Sequence, residues 1–181
     1  NYIFRLAESP NDPDFDKLWG VSNTGQLEPM PAKRPGQKEP RESREGVAGN
    51  DINVTPLWEA GHKGSKDVIV AIVDSGTQWD HPDLAANLYT NPGEAGELAE
   101  NGKDDDGNGF KDDTHGWNFA RNNRNSDDVH DHGSHVGGIV GAVGNNGVGV
   151  VGVNWNVQLM PISVINSFGG VATNAAADGI R

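Results

Sequence analysis

Asp67-Val68-Ile69-Val70-Ala71-Ile72-Val73-Asp74-Ser75-Gly76 is the stretch that decides how this chain is read. From Val68 to Val73 it is β-branched and aliphatic, with no alternation between faces. A strand that is apolar on both sides belongs inside a parallel sheet covered by helices, so the class expected is α/β. The run ends on an aspartate, a serine and a glycine. Open α/β sheets collect functional groups at the carboxyl ends of their strands, and Asp74 stands at such an end. An unpaired carboxylate is costly to bury, so Asp74 calls for a partner.

Composition narrows the function classes. The 181 residues suit one domain with a sizeable core. There are 26 acidic against 14 basic side chains, a formal charge of −12. That balance disfavours nucleic acid and anionic membrane as partners and favours cations. The absence of cysteine excludes a disulfide framework, a thiolate metal site and a thiol nucleophile. No apolar run approaches the roughly 18 residues of a membrane span. No signal peptide is recognisable, so the chain reads as cytosolic or already processed.

Residues 1–26 read as an N-terminal arm. Asn1 to Leu6 has strand character, and Phe15, Leu18 and Trp19 are spaced to anchor the arm on the body. Residues 27–50, rich in Pro, Gly, Lys, Arg and Glu, read as a surface excursion, and 51–181 as the core. A short helix is expected from Thr55 as N-cap, with Pro56 in its first turn and Gly61 at its stop. His132 to Val143 reads as a buried helix whose four glycines imply close backbone packing. Leu159 to Ile165 reads as a second buried strand, with Pro161 arguing against a central position. Another helix is expected to begin at Ala172.

Two constellations could carry chemistry. Val129-His130-Asp131-His132-Gly133-Ser134-His135 holds three histidines in six residues. His132 and His135 are three apart and could share a metal on one helix face. Alternatively, a histidine at a helix start beside a strand-end aspartate is the orienting half of a Ser-His-Asp triad. Both readings stand on residue types alone. In the second constellation, oxygens recur at positions 1, 3, 5 and 9 of a loop: Asp104, Asp106, Asn108 and Asp112. Gly109 is at position 6 and the Phe110 carbonyl at 7, which makes nine positions of an EF-hand-type calcium loop. Position 12 is His115, so the usual glutamate is missing and Asp113 is its candidate substitute. A solvated acidic loop is the other reading, but five aspartates within ten residues repel one another, and a divalent cation relieves that repulsion.

Val70-Ala71-Ile72-Val73-Asp74-Ser75-Gly76 followed by His132-Gly133-Ser134-His135-Val136-Gly137-Gly138 resembles the aspartate and histidine motifs of the subtilisin-like serine proteases, the subtilases. Ser134 stands where that family usually has threonine, and Gly137 where it usually has alanine. The likeness runs from Asn11-Asp12-Pro13 to Arg181. It implies a three-layer α/β fold with a central, mostly parallel sheet, incomplete in this chain. It assigns Asp74 as triad aspartate, His132 as general base and His135 as a hydrogen-bonded structural histidine. The family's serine motif and oxyanion-hole asparagine are absent from these 181 residues. A serine endopeptidase would therefore take its nucleophile from a missing segment or a second chain, and this chain alone should be inactive.

The resemblance further implies a second calcium site at Asp12, Asp83 and Asn146, with carbonyls of Val143, Val148 and Val150. It makes Ser167, Phe168, Gly169 and Gly170 an edge that pairs with extended substrate by strand addition. Expected partners are a peptide or protein substrate, the C-terminal part of the same domain as a second chain, and a prodomain during maturation. The expected location is secreted, extracellular or periplasmic. Asn1–Leu6 resembles the tail of such a prodomain, and an end at Arg181 suits a trypsin-like nick. Two alternatives remain: a catalytically dead, calcium-dependent binding module or fragment, and a metal hydrolase using the histidine cluster.

Overall fold

The apolar run forms most of an eleven-residue strand in the computed structural model, which describes residues 9–28, 44–166, 168–171 and 173–181. Asn1–Leu6, residues 29–43 of the excursion and Ser167 lie outside the described residues. In chain order the elements are β1 (Leu27–Glu28), β2 (Arg44–Glu45), α1 (Thr55–Glu59), β3 (Gly64–Asp74), β4 (Trp117–Asn118), α2 (His132–Gly141), β5 (Asn156–Ser163) and α3 (Thr173–Ile180). Short 3-10 turns fill the connections. No helix among the described residues is long and apolar enough to cross a membrane.

β3 pairs in parallel with β5, from Ile69 opposite Gln158 to Asp74 opposite Ser163. β4 adds to the far side of β5, so the strand order is β3-β5-β4. Among the described residues β5 is thus the middle strand, with β3 on one side of it and β4 on the other. Val68 and Ile69 are about half exposed. An apolar run reports what a strand can bury on its faces and carries no information about which neighbours it has.

Pro161 sits in the central strand after all, opposite Ile72. The carbonyls of Leu159 and Ser163, two residues to either side, accept from Tyr89 N and Phe119 N on the side away from β3. By strand alternation the imide nitrogen of Pro161 points to that same side. There β4 begins only at Trp117, opposite Ile162, so no ladder bond requires its missing N–H.

Helices cover both faces, giving three layers. Val136 and Val140 of α2 pack on Ile72, Leu84, Val157 and Leu159, and α3 packs Ala175 on Ile162 and Val164. Full burial of one such aliphatic side chain is worth about 1.5–3 kcal/mol. α2 approaches the sheet closely because its inner face is glycine. A Cβ at Gly141 would lie 2.5 Å from Val157 Cγ1 and 3.1 Å from Leu159 Cδ2.

A third cluster holds the N-terminal arm. Trp58 of α1 meets Trp155 edge-on at 5.3 Å and donates its Nε1–H to the Val153 carbonyl at 2.9 Å. Phe15 and Leu18 pack against this pair, but Trp19 is 41% exposed and does not. The cap of α1 is Val54, one residue before the expected Thr55, and it makes no side-chain cap bond. Burial of Val54 in the tryptophan cluster takes the place of capping chemistry.

Candidate active site and metal centre

Asp74 ends β3 and His132 begins α2, and the packing of α2 on the sheet brings the two together. His132 Nδ1 lies 2.7 Å and 2.8 Å from the two carboxylate oxygens of Asp74. The Asp74 side chain is 13% exposed and that of His132 62% exposed, so the carboxylate is sheltered while the ring faces outward. The approach depends on two glycines. Gly76 has φ +115°, a left-handed conformation that favours glycine, and its carbonyl occupies the space a Cβ on Gly133 would need.

Asp128 lies beside this pair and was not singled out from the sequence. Burial pushes its carboxyl up, but bonds from Ser134, the His130 amide and Ser75 outweigh burial and hold it below the usual carboxylate range. A depressed folded pKa contributes stability that is complete above the unfolded value of about 3.9 and lost as pH falls through the folded value. The stability gap between the native protein and Asp128→Asn is therefore expected to be constant from about pH 5 to 7 and to close below about pH 4. Denaturant unfolding at several pH values measures it.

The other histidines do not join the pair. His135 is exposed and lines a cavity of about 820 Å³ with Asp80, His81 and Ile139. Its ring has no hydrogen-bond partner among the described residues, contrary to the structural role expected of it. No group of three potential metal ligands among the described residues contains a histidine.

The acidic loop folds back on a residue that the loop pattern could not reveal. Glu94, in the turn Pro92–Glu94, is fully buried, and its Oε1 accepts from the amide of Asp105 at 2.6 Å. Its Oε2 is buried without a hydrogen-bond partner among the described residues. Ligand oxygens of Glu94, Asp104 and Asp106 lie within 4.8 Å of one another. Three converging carboxylates, one of them with an orphaned buried oxygen, fit a hard divalent cation such as calcium. Asn91 Nδ2 ties Asp106 to Asp113 at 2.9 Å each, and Asn108 Nδ2 bridges the same two side chains. Burial, reinforced by Asp106 and Glu94 and opposed by the Asn91 and Asn108 bonds, raises the Asp113 pKa. Asp112 turns its carboxylate to the Gly102 amide at 3.0 Å and closes the base of the loop. The ring of Phe110 packs on Trp117 and Phe119.

The residues expected at a second calcium site also meet. Asp12 accepts from the amides of Asn145 and Asn146. Asp83 accepts from Asn146 Nδ2 and Val150 N, and its carbonyl from Val143 N. The Val148 amide donates to Asn146 Oδ1. Protein hydrogen bonds thus clip the arm to the body at this point.

The expected substrate edge is instead a turn. Asn166 Oδ1 accepts from the amides of Phe168 and Gly170, and Ile165 bridges Val171 in antiparallel fashion. Gly169, at φ +76°, supplies the reversal, so Phe168 to Gly170 do not run extended. Phe168 is almost fully exposed, and a Cβ at Gly169 would lie 3.4 Å from His130 Nε2, which sets this turn beside His130, two residues before His132.

Residues 65–181 match the Subtilase family. Over 91 residues, half of this chain, 46% are identical to "Subtilisin-like protease 1" of Plasmodium berghei, of which the match covers 15%. "Neuroendocrine convertase 2" of Homo sapiens is 30% identical over 86% of this chain and 19% of its own length. The Aeromonas sobria serine protease, solved in complex with a chaperone, superposes with a TM-score of 0.61 over 91% of this chain and 22% of its own, at 24% identity. That likeness bears on the fold. The chain spans less than a fifth of these two curated relatives.

Proposed function

This chain belongs to the subtilase family, and we propose that it supplies the aspartate and the general base of a serine endopeptidase. The contact of 2.7 Å between His132 Nδ1 and Asp74 carries the reading. With Nδ1–H donated to the carboxylate, the free Nε2 is the proton acceptor. As a serine Oγ attacks a peptide carbonyl carbon, its proton passes to His132 Nε2, and Asp74 stabilises the imidazolium. That proton goes to the leaving amine as the C–N bond breaks. Water then attacks the acyl ester by the same route, giving its proton to Nε2, and the serine oxygen takes it back.

Ser75, Ser126, Ser134 and Ser163 direct their hydroxyls to other acceptors. With these four hydroxyls engaged, the reading takes the nucleophile from outside these residues, in the same polypeptide or a second one. Calcium is the ion the acidic loop would hold, through Glu94, Asp104 and Asp106, with Asn108, Phe110, Asp112 and Asp113 shaping the loop around it. It would neutralise the carboxylates and order the loop at a distance from the reaction. Asp12, Asp83 and Asn146 offer a second oxygen-rich site. A peptide substrate, a prodomain and a secreted location complete the proposal.

Labelling of the full-length protein with a fluorophosphonate tests the reading. Labelling and peptide hydrolysis are expected together, both lost in His132→Ala and both insensitive to a zinc-selective chelator. Hydrolysis without labelling, abolished by that chelator and restored by zinc, would establish a metal hydrolase. Absence of both in the folded native protein would leave a binding module.

A further inference from the structure

His132 opens its helix with a largely exposed ring, so side-chain packing does little to set its orientation. Its place depends on where the first turn of α2 is held. The residue at the N-cap, Asp131, has φ +68° and makes no side-chain cap bond. The free amides of that first turn are satisfied from elsewhere.

Asp128 is the source. Its Oδ1 accepts from Ser75 Oγ at 2.7 Å and from the amides of His130 at 2.9 Å and Asp131 at 3.1 Å. Its Oδ2 accepts from Ser134 Oγ at 2.6 Å and Ser134 N at 2.7 Å. Each hydroxyl in turn accepts an amide from the opposite element. Ser75 Oγ takes Gly133 N at 2.9 Å, and Ser134 Oγ takes Gln78 N at 2.9 Å. Ser75 directly follows Asp74, and Gly133 and Ser134 directly follow His132. The two arms cross between the strand end and the helix start, so any slide of one against the other breaks bonds on both. A carboxylate is also favoured at a helix N-terminus.

We propose that Asp128 is the positioning residue of the site: through Ser75 and Ser134 it fixes the start of α2 so that His132 Nδ1 meets Asp74. The inference rests on the reading of Asp74 and His132 as a proton-transfer pair. Misplacement of reacting groups by about 1 Å can cost about 10²-fold in rate, and the crossed arms limit such a shift.

The test is the imidazole Nδ1–H proton resonance of His132 in the full-length protein, which a bond to a carboxylate moves downfield and protects from exchange. Asp74→Asn, which replaces the charged acceptor, is expected to shift that signal upfield or remove it. Asp128→Ala is expected to do the same while circular dichroism and a cooperative melt are retained, with kcat lowered about 10²-fold and KM little changed. A signal shifted in Asp74→Asn and unchanged in folded Asp128→Ala would overturn the positioning role and leave the protease reading standing. A signal lost in both variants of a protein that neither labels nor hydrolyses would overturn the protease reading and sustain the positioning role. Should Asp128→Ala fail to fold, Ser134→Ala and Asp128→Asn decide. Each disturbs one arm at nearly constant volume, so an upfield shift in either supports the proposal and an unchanged signal in both refutes it.

Discussion

Full-length protein carrying Asp74→Asn is expected to hydrolyse peptides on the order of 10⁴-fold more slowly in kcat, with KM close to the native value. That magnitude is the known cost of the same exchange in a Ser-His-Asp protease. The physical reason is local. Asp74 presents both oxygens to His132 Nδ1, and only a carboxylate compels Nδ1 to carry the proton and leaves Nε2 free. An asparagine amide can donate to Nδ1 and trap the other tautomer, in which Nε2–H cannot accept from serine. It also removes the negative charge that stabilises the imidazolium. On this mechanism Asp74 acts through the imidazole and does not itself touch substrate, which is why KM should hold. Steady-state kinetics on the two proteins measure the split, and a loss below tenfold in kcat would show that Asp74 is not a triad member.

The second large effect concerns stability. Calcium added at about 1,000-fold over its Kd is expected to stabilise the native chain by about 4 kcal/mol. For a chain of this size that corresponds to roughly 8–16 °C in Tm. Glu94→Gln should remove most of that increment. In the protein without calcium the same substitution should cost little or even stabilise, because it removes a buried negative charge whose Oε2 has no partner. The opposite signs distinguish a ligand from a packing residue. Calorimetric melts of both proteins, with calcium and with excess chelator, decide the matter. Equal Tm gains in the two proteins would exclude Glu94 from the site.

What could be read from the chain and what could not divide along a physical line. The strand to Asp74, the glycine-rich helix from His132 and the oxygen-rich loop from Asp104 are local patterns, and the structure forms all three. Glu94 was invisible because it enters the loop from a separate turn ten residues upstream of Asp104, outside any ligand spacing. Asp128 was equally hidden, since one aspartate among many shows its value only when Ser75 and Ser134 converge on it. The place of Pro161 in the middle strand of the described sheet was not legible for a related reason. Sheet order is decided by which strands meet, and a single strand does not encode it. The Asn166 turn was missed because a side-chain oxygen collecting two amides competes with an extended edge.

The parallel pairing of β3 with β5 has a consequence for how the molecule acquires its shape. Val70 meets Leu159 and Asp74 meets Ser163, so nearly half the chain must be gathered before the first ladder bond rewards the search. Parallel topologies of this kind fold slowly, and until the ladder closes the run Val68–Val73 stays open to pairing with other chains. The acidic loop lies inside the stretch to be gathered, between the two strands. An ion that rigidifies it early shortens the effective tether, so the same carboxylates that would steady the finished protein would also hasten its assembly and narrow the window for aggregation.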